Sequence, residues 1–410
     1  MALASLRPLR RRSYALVWSA ALVSNVGSWM QTIAVGVLVT ARTGRSGWTG
    51  LVAAAAFLPI GLLSPIGGAL ADRVDRRRWL ITTTVGETVF ATALAVAVGL
   101  GHAGPGLVTL LVFGGGAMAA IGFPAYQAML PDLVPPEELL AAVSLSSAQF
   151  NLGRVVGPAL AGVVIAAAGY GWAFAINAAS FVAVIVALLA VRLPPVRTAE
   201  RAPLRRRLME GARATAAEPG CRLAVGMIAV VAVTASPFIA LVPAVAVKLF
   251  HSGSRGTAVL VTAQGVGAVA GALALAPLAE RFGRRRVLPA ALFGVCAAMA
   301  GYAVAPGLSL SAMAIVVLGG FYICVLSGLN TTIQLRAPVE VRGRILGIYM
   351  MALGVLYPVG AIAQGWVADR VGLRVVTLGG AAVLAVVVAA RLSRMRTALA
   401  EMASVSEADE

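Results

Sequence analysis

Apolar residues fill this chain in long blocks, and short polar connections rich in arginine punctuate them. A helix needs about 20 mostly apolar residues to cross the hydrocarbon core of a bilayer. By that measure the sequence holds about twelve spans, at 14–40, 47–71, 80–101, 105–129, 143–168, 170–191, 222–247, 255–279, 287–304, 308–335, 343–369 and 372–392. Apolar and polar residues do not alternate along them, so strands are excluded. A helix also satisfies its own backbone in lipid, where an open sheet cannot. The pattern predicts an all-α integral membrane protein with twelve transmembrane helices.

The polar connections repeat. After span two the chain runs from Gly68 through Asp72, Arg73, Asp75, Arg76 and Arg77 to Arg78; after span eight it runs from Ala276 through Glu280, Arg281, Gly283, Arg284 and Arg285 to Arg286. At an offset of about 200 residues, Pro135, Pro136, Glu137 and Glu138 before span five resemble Pro338 and Glu340 before span eleven, and Pro158 matches Pro358. Duplication of a six-helix unit accounts for this. The expected organisation is a first bundle over 1–191, a cytoplasmic linker over 192–221, a second bundle over 222–396 and a disordered cytoplasmic tail over 397–410. In the linker, Leu204 and Leu208 share a helical face flanked by Arg205, Arg206, Arg207 and Arg213. That fits either a short helix on the anionic inner membrane surface or a flexible connection.

Composition narrows the chemistry. Of 410 residues 60% are hydrophobic and 12% charged, and the mean hydropathy is +0.91, well beyond soluble domains. The net charge of +17 would raise nucleic-acid binding were the arginines not confined to short tracts between spans. They concentrate in both tails and the even-numbered connections, which places both termini and the linker in the cytoplasm of a cell-membrane protein. Cys221, Cys296 and Cys324 show no paired spacing, and with only His102 and His251 neither a disulfide framework nor a metal site is expected. The basic start, Arg7 to Arg12, precedes an apolar run too long for a secretory signal. No phosphate loop of the GxxxxGK[ST] type occurs. No cofactor and no nucleic-acid partner are expected, and a monomer in the lipid bilayer is.

The connection after span two resembles the Gly-x3-Asp-Arg-x-Gly-Arg-Arg pattern of the major facilitator superfamily. Gly68, Asp72, Arg73, Arg76 and Arg77 match it, and Asp75 stands where that family has Gly. The second copy keeps Gly283 but has Ala276 and Glu280. Asp and Gly both tolerate the left-handed backbone that a tight turn favours. Phe123, Pro124 and Ala125, the run Leu130 to Pro135, the run Asn151 to Gly162 and Arg342, Gly343 and Arg344 resemble the branch that contains the enterobactin exporter and macrolide-efflux-like proteins. The resemblance implies two pseudo-symmetric six-helix bundles and transport of a small molecule by alternating access.

On that arrangement Asp72 would approach the N-terminus of span eleven and Glu280 that of span five, where a carboxylate gains about 0.3–1 kcal/mol. Together with Gly68, Arg73, Arg76, Arg77, Arg281, Gly283 and Arg284 they would form a cytoplasmic gate; alternatively the charges only set topology. Gly153, Gly157, Pro158 and Gly162 in span five resemble an antiporter motif, and the same residues also suit close helix packing. Arg154 lies near mid-membrane, where a charge must face a cavity or a partner. Glu87 in span three is a candidate proton carrier or a partner for nearby arginines. Asn25, Ser28, Ser236, Gln264, Tyr322 and Tyr357 complete an expected substrate cavity, largely apolar with few polar anchors, suited to an amphipathic molecule. The reading is a secondary transporter that exports such a molecule by proton antiport, with an importer or facilitator on the same fold as the alternative. The remote alternative is a non-transporting membrane sensor, which would be expected to carry a sizeable soluble domain; a membrane enzyme would need clustered catalytic groups, and the sequence offers neither.

Overall fold

The computed structural model describes residues 6–71, 73–191 and 204–406. Its helices are α1 (Arg12–Thr43), α2 (Ser46–Ala71), α3 (Arg76–Gly99), α4 (Pro105–Leu133), α5 (Leu139–Ala168), α6 (Tyr170–Ala190), α7 (Leu204–Ala217), α8 (Pro219–Thr234), α9 (Pro237–Lys248), α10 (Gly253–Phe282), α11 (Arg284–Val304), α12 (Leu308–Arg336), α13 (Arg342–Val371) and α14 (Leu373–Ser406). Among the described residues twelve helical stretches are long and apolar enough to cross a membrane, α8 and α9 together forming the seventh. Prolines open α4, α8 and α9 at the first helical position, where a missing N–H costs nothing. Gly44, Gly169 and Gly372 close α1, α5 and α13 at positive φ, a backbone state that side chains resist.

Three features depart from the sequence reading. The seventh span is not continuous but breaks between α8 and α9. Helix α14 runs on to Ser406, through residues expected to form a polar tail; Ala, Leu, Met and Glu there are strong helix formers. Asp75 does not take a left-handed turn: at φ −58° it caps α3, its carboxylate accepting from the Arg78 N–H at 2.8 Å, whereas Gly283 sits at φ +77°. The two copies of the motif turn by different local chemistry.

The helices gather into two compact units, one of Met1–Gly44, Leu51–Arg201 and His251–Ala258, the other of Arg45–Gly50, Ala202–Phe250 and Val259–Glu410. In the first, α1 packs on α5 and α6, and α3 on α4 and α6. In the second, α8 packs on α13 and α14, and α11 on α12 and α14. The pairing is the same once helices are matched by order, as a duplicated unit requires.

Small residues set how closely the helices approach. A Cβ on Gly153 would stand 2.8 Å from the Asn25 Cβ, and one on Gly157 2.6 Å from the Trp29 Cβ and 2.7 Å from the Val26 carbonyl oxygen. The Gly-x-x-x-Gly of α5 is therefore the seat of α1. Polar ties add to it: the Tyr14 hydroxyl donates to the Ala142 carbonyl at 2.7 Å, and Trp18 Nε1 to the Leu145 carbonyl at 2.9 Å.

Helix α7 lies in the second unit against the start of α13. Gly211 faces the Arg344 backbone, and Glu210 pairs with Arg344 at 2.9 Å and with Arg206 at 2.8 Å. The linker is thus helical over Leu204–Ala217, as one of the two sequence readings expects, and it is tied to protein on one face. The hydrogen bond from Arg206, opposed by partial desolvation and backed by the charge of Arg344, holds the Glu210 carboxyl below the usual carboxylate range.

Two outcomes follow. Gly157→Ala forces Trp29 and the α1 backbone aside and is expected to cost about 1–3 kcal/mol, read as a lowered unfolding temperature in detergent. Gly379→Ala, where nothing lies within 4 Å, should leave that temperature unchanged. Because Glu210 is held in its charged form, docking of α7 is expected to be complete above its ordinary value of about 4.3 and to weaken as pH falls through the lowered one. The protection factors of residues 204–217, which remove the intrinsic pH dependence of amide exchange, should stay constant from neutral pH down to about 5 and fall only in more acidic buffer; a fall already near neutral pH contradicts the pairing.

Candidate functional site

The break in the seventh span organises the polar chemistry of the second unit. Pro237 has no N–H to return to Val233, and its ring displaces that carbonyl, so the helix cannot run through. The freed Val233 and Thr234 carbonyls accept from Gln364 Nε2 of α13 at 2.8 and 2.9 Å. Gly360 and Gly380 leave room for this: a Cβ on Gly360 would lie 2.7 Å from the Val233 oxygen, and one on Gly380 2.5 Å from that of Thr234. Inside the break Ser236 is 1% exposed, and its hydroxyl meets the Tyr322 hydroxyl at 2.9 Å. Phe238 sits edge-on to the Tyr322 ring, centroids 5.6 Å apart. Tyr357, one turn before the Gly360 approach, is buried. Interrupted spans place backbone and side-chain polar groups inside a membrane where a ligand can use them.

Gln264 of α10 is 1% exposed, and neither its amide oxygen nor its nitrogen has a hydrogen-bond partner. A buried amide left so costs about 1–3 kcal/mol. Among the residues expected at the site it is the one whose bonding capacity is most plainly unused.

In the first unit Arg154 is half-buried, its guanidinium 5.6 Å from the centre of the Trp29 ring. Trp29 in turn meets Phe150 edge-on at 5.9 Å. Cation–π contact is one way to hold a charge at this depth. Asn25 and Ser28 are half-buried beside Trp29 on α1; Asn25 lies beneath Gly153, and the Ser28 carbonyl accepts from Thr32. The structure therefore gathers Asn25, Arg154 and Gly153 around Trp29, and Ser236 and Tyr322 at the break. Gln264 hydrogen-bonds to none of them.

Glu87 falls in register with the buried residues Leu80, Thr84, Ala91 and Leu94 along α3 and is itself half-buried. Among the described residues it forms no ion pair, so a tie to nearby arginines is not what holds it.

Two of the expected gate residues build the first unit. Arg76 donates to the Asp132 carboxylate at 2.7 Å and the Ala128 carbonyl at 3.2 Å, and Arg77 to the Leu188 and Leu189 carbonyls at 2.7 Å each. The two Arg77 bonds satisfy carbonyls at the C-terminal end of α6 that have no partner within their own helix. Gly68 is half-buried, Arg73 and Glu280 are exposed, and Arg281 lies over the Phe282 ring at 5.3 Å. Asp72 and the side chain of Arg284 lie outside the described residues. In span five Pro158 is buried beyond Gly157, and Gly162 faces Ala258, a Cβ there standing 3.4 Å away.

Sequence reasoning missed Gln364, Asp369 and Lys248. Pro237 was the available signal for the first. Asp369 pairs with Lys248 at 3.1 Å across 121 residues, and only the fold brings them together. Gln364→Leu would strip both carbonyls at the break of their partner and is expected to lower stability by about 1–3 kcal/mol, measured as thermal unfolding in detergent. Gln364→Glu keeps an oxygen but loses the donor, and should be no better.

Three comparisons bear on this arrangement. The sequence model described as transmembrane secretion effector matches residues 3–409. The chain is 27% identical over 376 residues to the multidrug efflux pump Tap of Mycolicibacterium fortuitum, covering 89% of this chain and 91% of that one. It is 26% identical over 347 residues to the enterobactin exporter EntS of Citrobacter koseri, covering 82% and 80%. Among solved structures, a bacterial homologue of the human lysosomal transporter Spinster superposes with TM-score 0.75 at 15% identity, covering 95% of this chain and 98% of that one. The nucleoside transporter NupG gives 0.71 at 14%, covering 93% and 98%. The chain belongs to the transmembrane secretion effector family of the major facilitator superfamily and is a multi-pass membrane transporter, not an enzyme.

Proposed function

We propose that this transporter exports an amphipathic small organic molecule from the cell by alternating access, driven by proton antiport. The break at Ser236 is the observation that carries the reading. It sets a paired Ser236 and Tyr322, the Phe238 ring and two carbonyls held by Gln364 among buried apolar residues, few polar anchors in apolar surroundings. Arg154 over Trp29, Asn25, Ser28, Gln264 and Tyr357 are also assigned to substrate contact. Relatives whose names read multidrug efflux pump and enterobactin exporter support export over import.

Asp72 and Glu280, with the arginines around them, are assigned to a cytoplasmic gate, and Arg76 and Arg77 act in it by tying the start of α3 to α4 and α6. Pro158 gives α5 its freedom to bend beyond the packed glycines. Glu87 is the proton carrier: it is a half-buried carboxylate within a span, and acidic groups so placed in transporters serve proton relays. The arginine distribution supports an orientation with both termini on the cytoplasmic side of the cell membrane.

Cells expressing the protein are expected to accumulate less of an amphipathic fluorescent dye than cells lacking it. Tyr322→Phe removes one hydrogen bond at the break and should weaken export by about twofold to tenfold. Dissipating the pH gradient should abolish export against a concentration gradient. Uphill efflux that persists without the gradient contradicts the coupling, and full activity of Tyr322→Phe together with Ser236→Ala contradicts the site.

A further inference from the structure

Helix α2 belongs to both units: its first turn, within Arg45–Gly50, lies in the second, and from Leu51 onward it lies in the first. That turn is held by a dense set of contacts. Asp369, near the C-terminal end of α13, accepts from the Ser46 N–H at 2.6 Å and the Gly47 N–H at 2.9 Å. The first N–H groups of a helix have no partner within it and carry partial positive charge, so a carboxylate there both caps and neutralises. Lys248, the last residue of α9, donates to the same carboxylate at 3.1 Å and to the Ser46 hydroxyl at 3.2 Å. The side chains of Lys248 and Asp369 are 29% and 12% exposed, which shelters them from the screening that makes surface pairs weak.

Shape matches charge at this place. A Cβ on Gly47 would stand 2.7 Å from the Trp366 ring and one on Gly365 2.7 Å from the Ser46 carbonyl oxygen, while Gly50 lies directly against the Ala361 carbonyl. Arg45 covers Trp366 at 5.4 Å. The internal repeat supplies a comparison. The first turn of α10 is likewise taken into the other unit, as His251–Ala258, and meets Gly162 of α5 through Ala258. Matched by the glycines that close α5 and α13, Gly169 and Gly372, the position of Asp369 falls on Ala166, so the other half has no carboxylate at that position. At the first turn of α2 an ionic cap is added to the packing.

We propose that Asp369, positioned by Lys248, governs the outer closure of the transport cycle: its carboxylate holds the first turn of α2 in the second unit, and the substrate's exit outward requires that cap to be released. The inference rests on the export reading for its direction. Asp369 is a positioning residue, since it acts through α2 and touches no substrate. Neutralising it leaves Lys248 and two helix N–H groups without their anion; lengthening it to Glu preserves the charge.

The test uses Thr49→Cys, a position in the clasped turn that is 1% exposed, in the full-length protein, whose native cysteines are buried. A membrane-impermeant maleimide is applied to intact cells and, in parallel, to everted vesicles. Adding Asp369→Asn is expected to raise labelling of intact cells about tenfold, the loss of one helix cap and its ion pair, with no rise in everted vesicles. Lys248→Gln, which keeps the cap, should raise it less, and Asp369→Glu should return it close to the parent. A merely structural residue would not show this one-sided, charge-rescued change. Parental labelling in an Asp369→Asn protein that remains monodisperse overturns the proposal, and so does a rise confined to everted vesicles. Labelling needs no transported compound, so a failed efflux assay leaves this result readable.

Discussion

The constraint on which this structure depends is that a peptide group in hydrocarbon must find its hydrogen bond within the protein. Twelve apolar stretches meet it by winding into helices, and the ends, where four N–H or four carbonyl groups lack partners, are where the charged residues go. Arg77 serves the end of α6, Asp75 and Glu218 the starts of α3 and α8, and Asp369 the start of α2. The sparse charge of this chain gathers mainly at helix termini, and the broken seventh span is the place where termini fall inside the membrane. There the repair comes from a neutral amide, Gln364, which satisfies two carbonyls without bringing in a charge.

Close packing follows from the same constraint. Without a hydrophobic drive between helices in lipid, association relies on near contact of backbones, and glycines supply it at Gly153 and Gly157 against α1 and at Gly47, Gly50 and Gly365 around the first turn of α2. Both units repeat one pairing scheme, so the duplication set the frame, and later divergence shows in the details: Asp75 caps where Gly283 turns, and Asp369 stands where the other half has Ala166. Function in a duplicated transporter resides in such departures from symmetry, because identical halves would give no preferred direction or substrate.

Much of this fold was legible in the sequence because hydropathy in a bilayer is a local property: about 20 apolar residues between arginine tracts have one physical solution. Span limits agree to within a few residues except at the seventh, where the apolar run hid a break that Pro237 could have disclosed, and at the twelfth, whose helix runs on to Ser406. The close seat of α1 on α5 was legible as one of two readings of Gly153 and Gly157. Contacts across long sequence distance were not legible. Nothing in the segment around Asp369 indicates that its carboxylate meets the N–H groups of Ser46 and Gly47, 323 and 322 residues away, nor that Lys248, the lone lysine, joins them. Arg154 was picked out by its depth alone, and its partner Trp29 lies on another helix.

Substrate binding, on this account, occurs where the seventh span opens, and the cycle consists in exposing that opening to one side of the membrane and then the other. The most direct measurement is protection: in a protein freed of its three native cysteines, Ser236→Cys is alkylated with and without a transported amphipathic dye. The account predicts that saturating dye slows the reaction at this position while leaving a control cysteine introduced at Gly379 unaffected. Equal rates at position 236 with and without dye, in a protein that still exports it, would contradict the account.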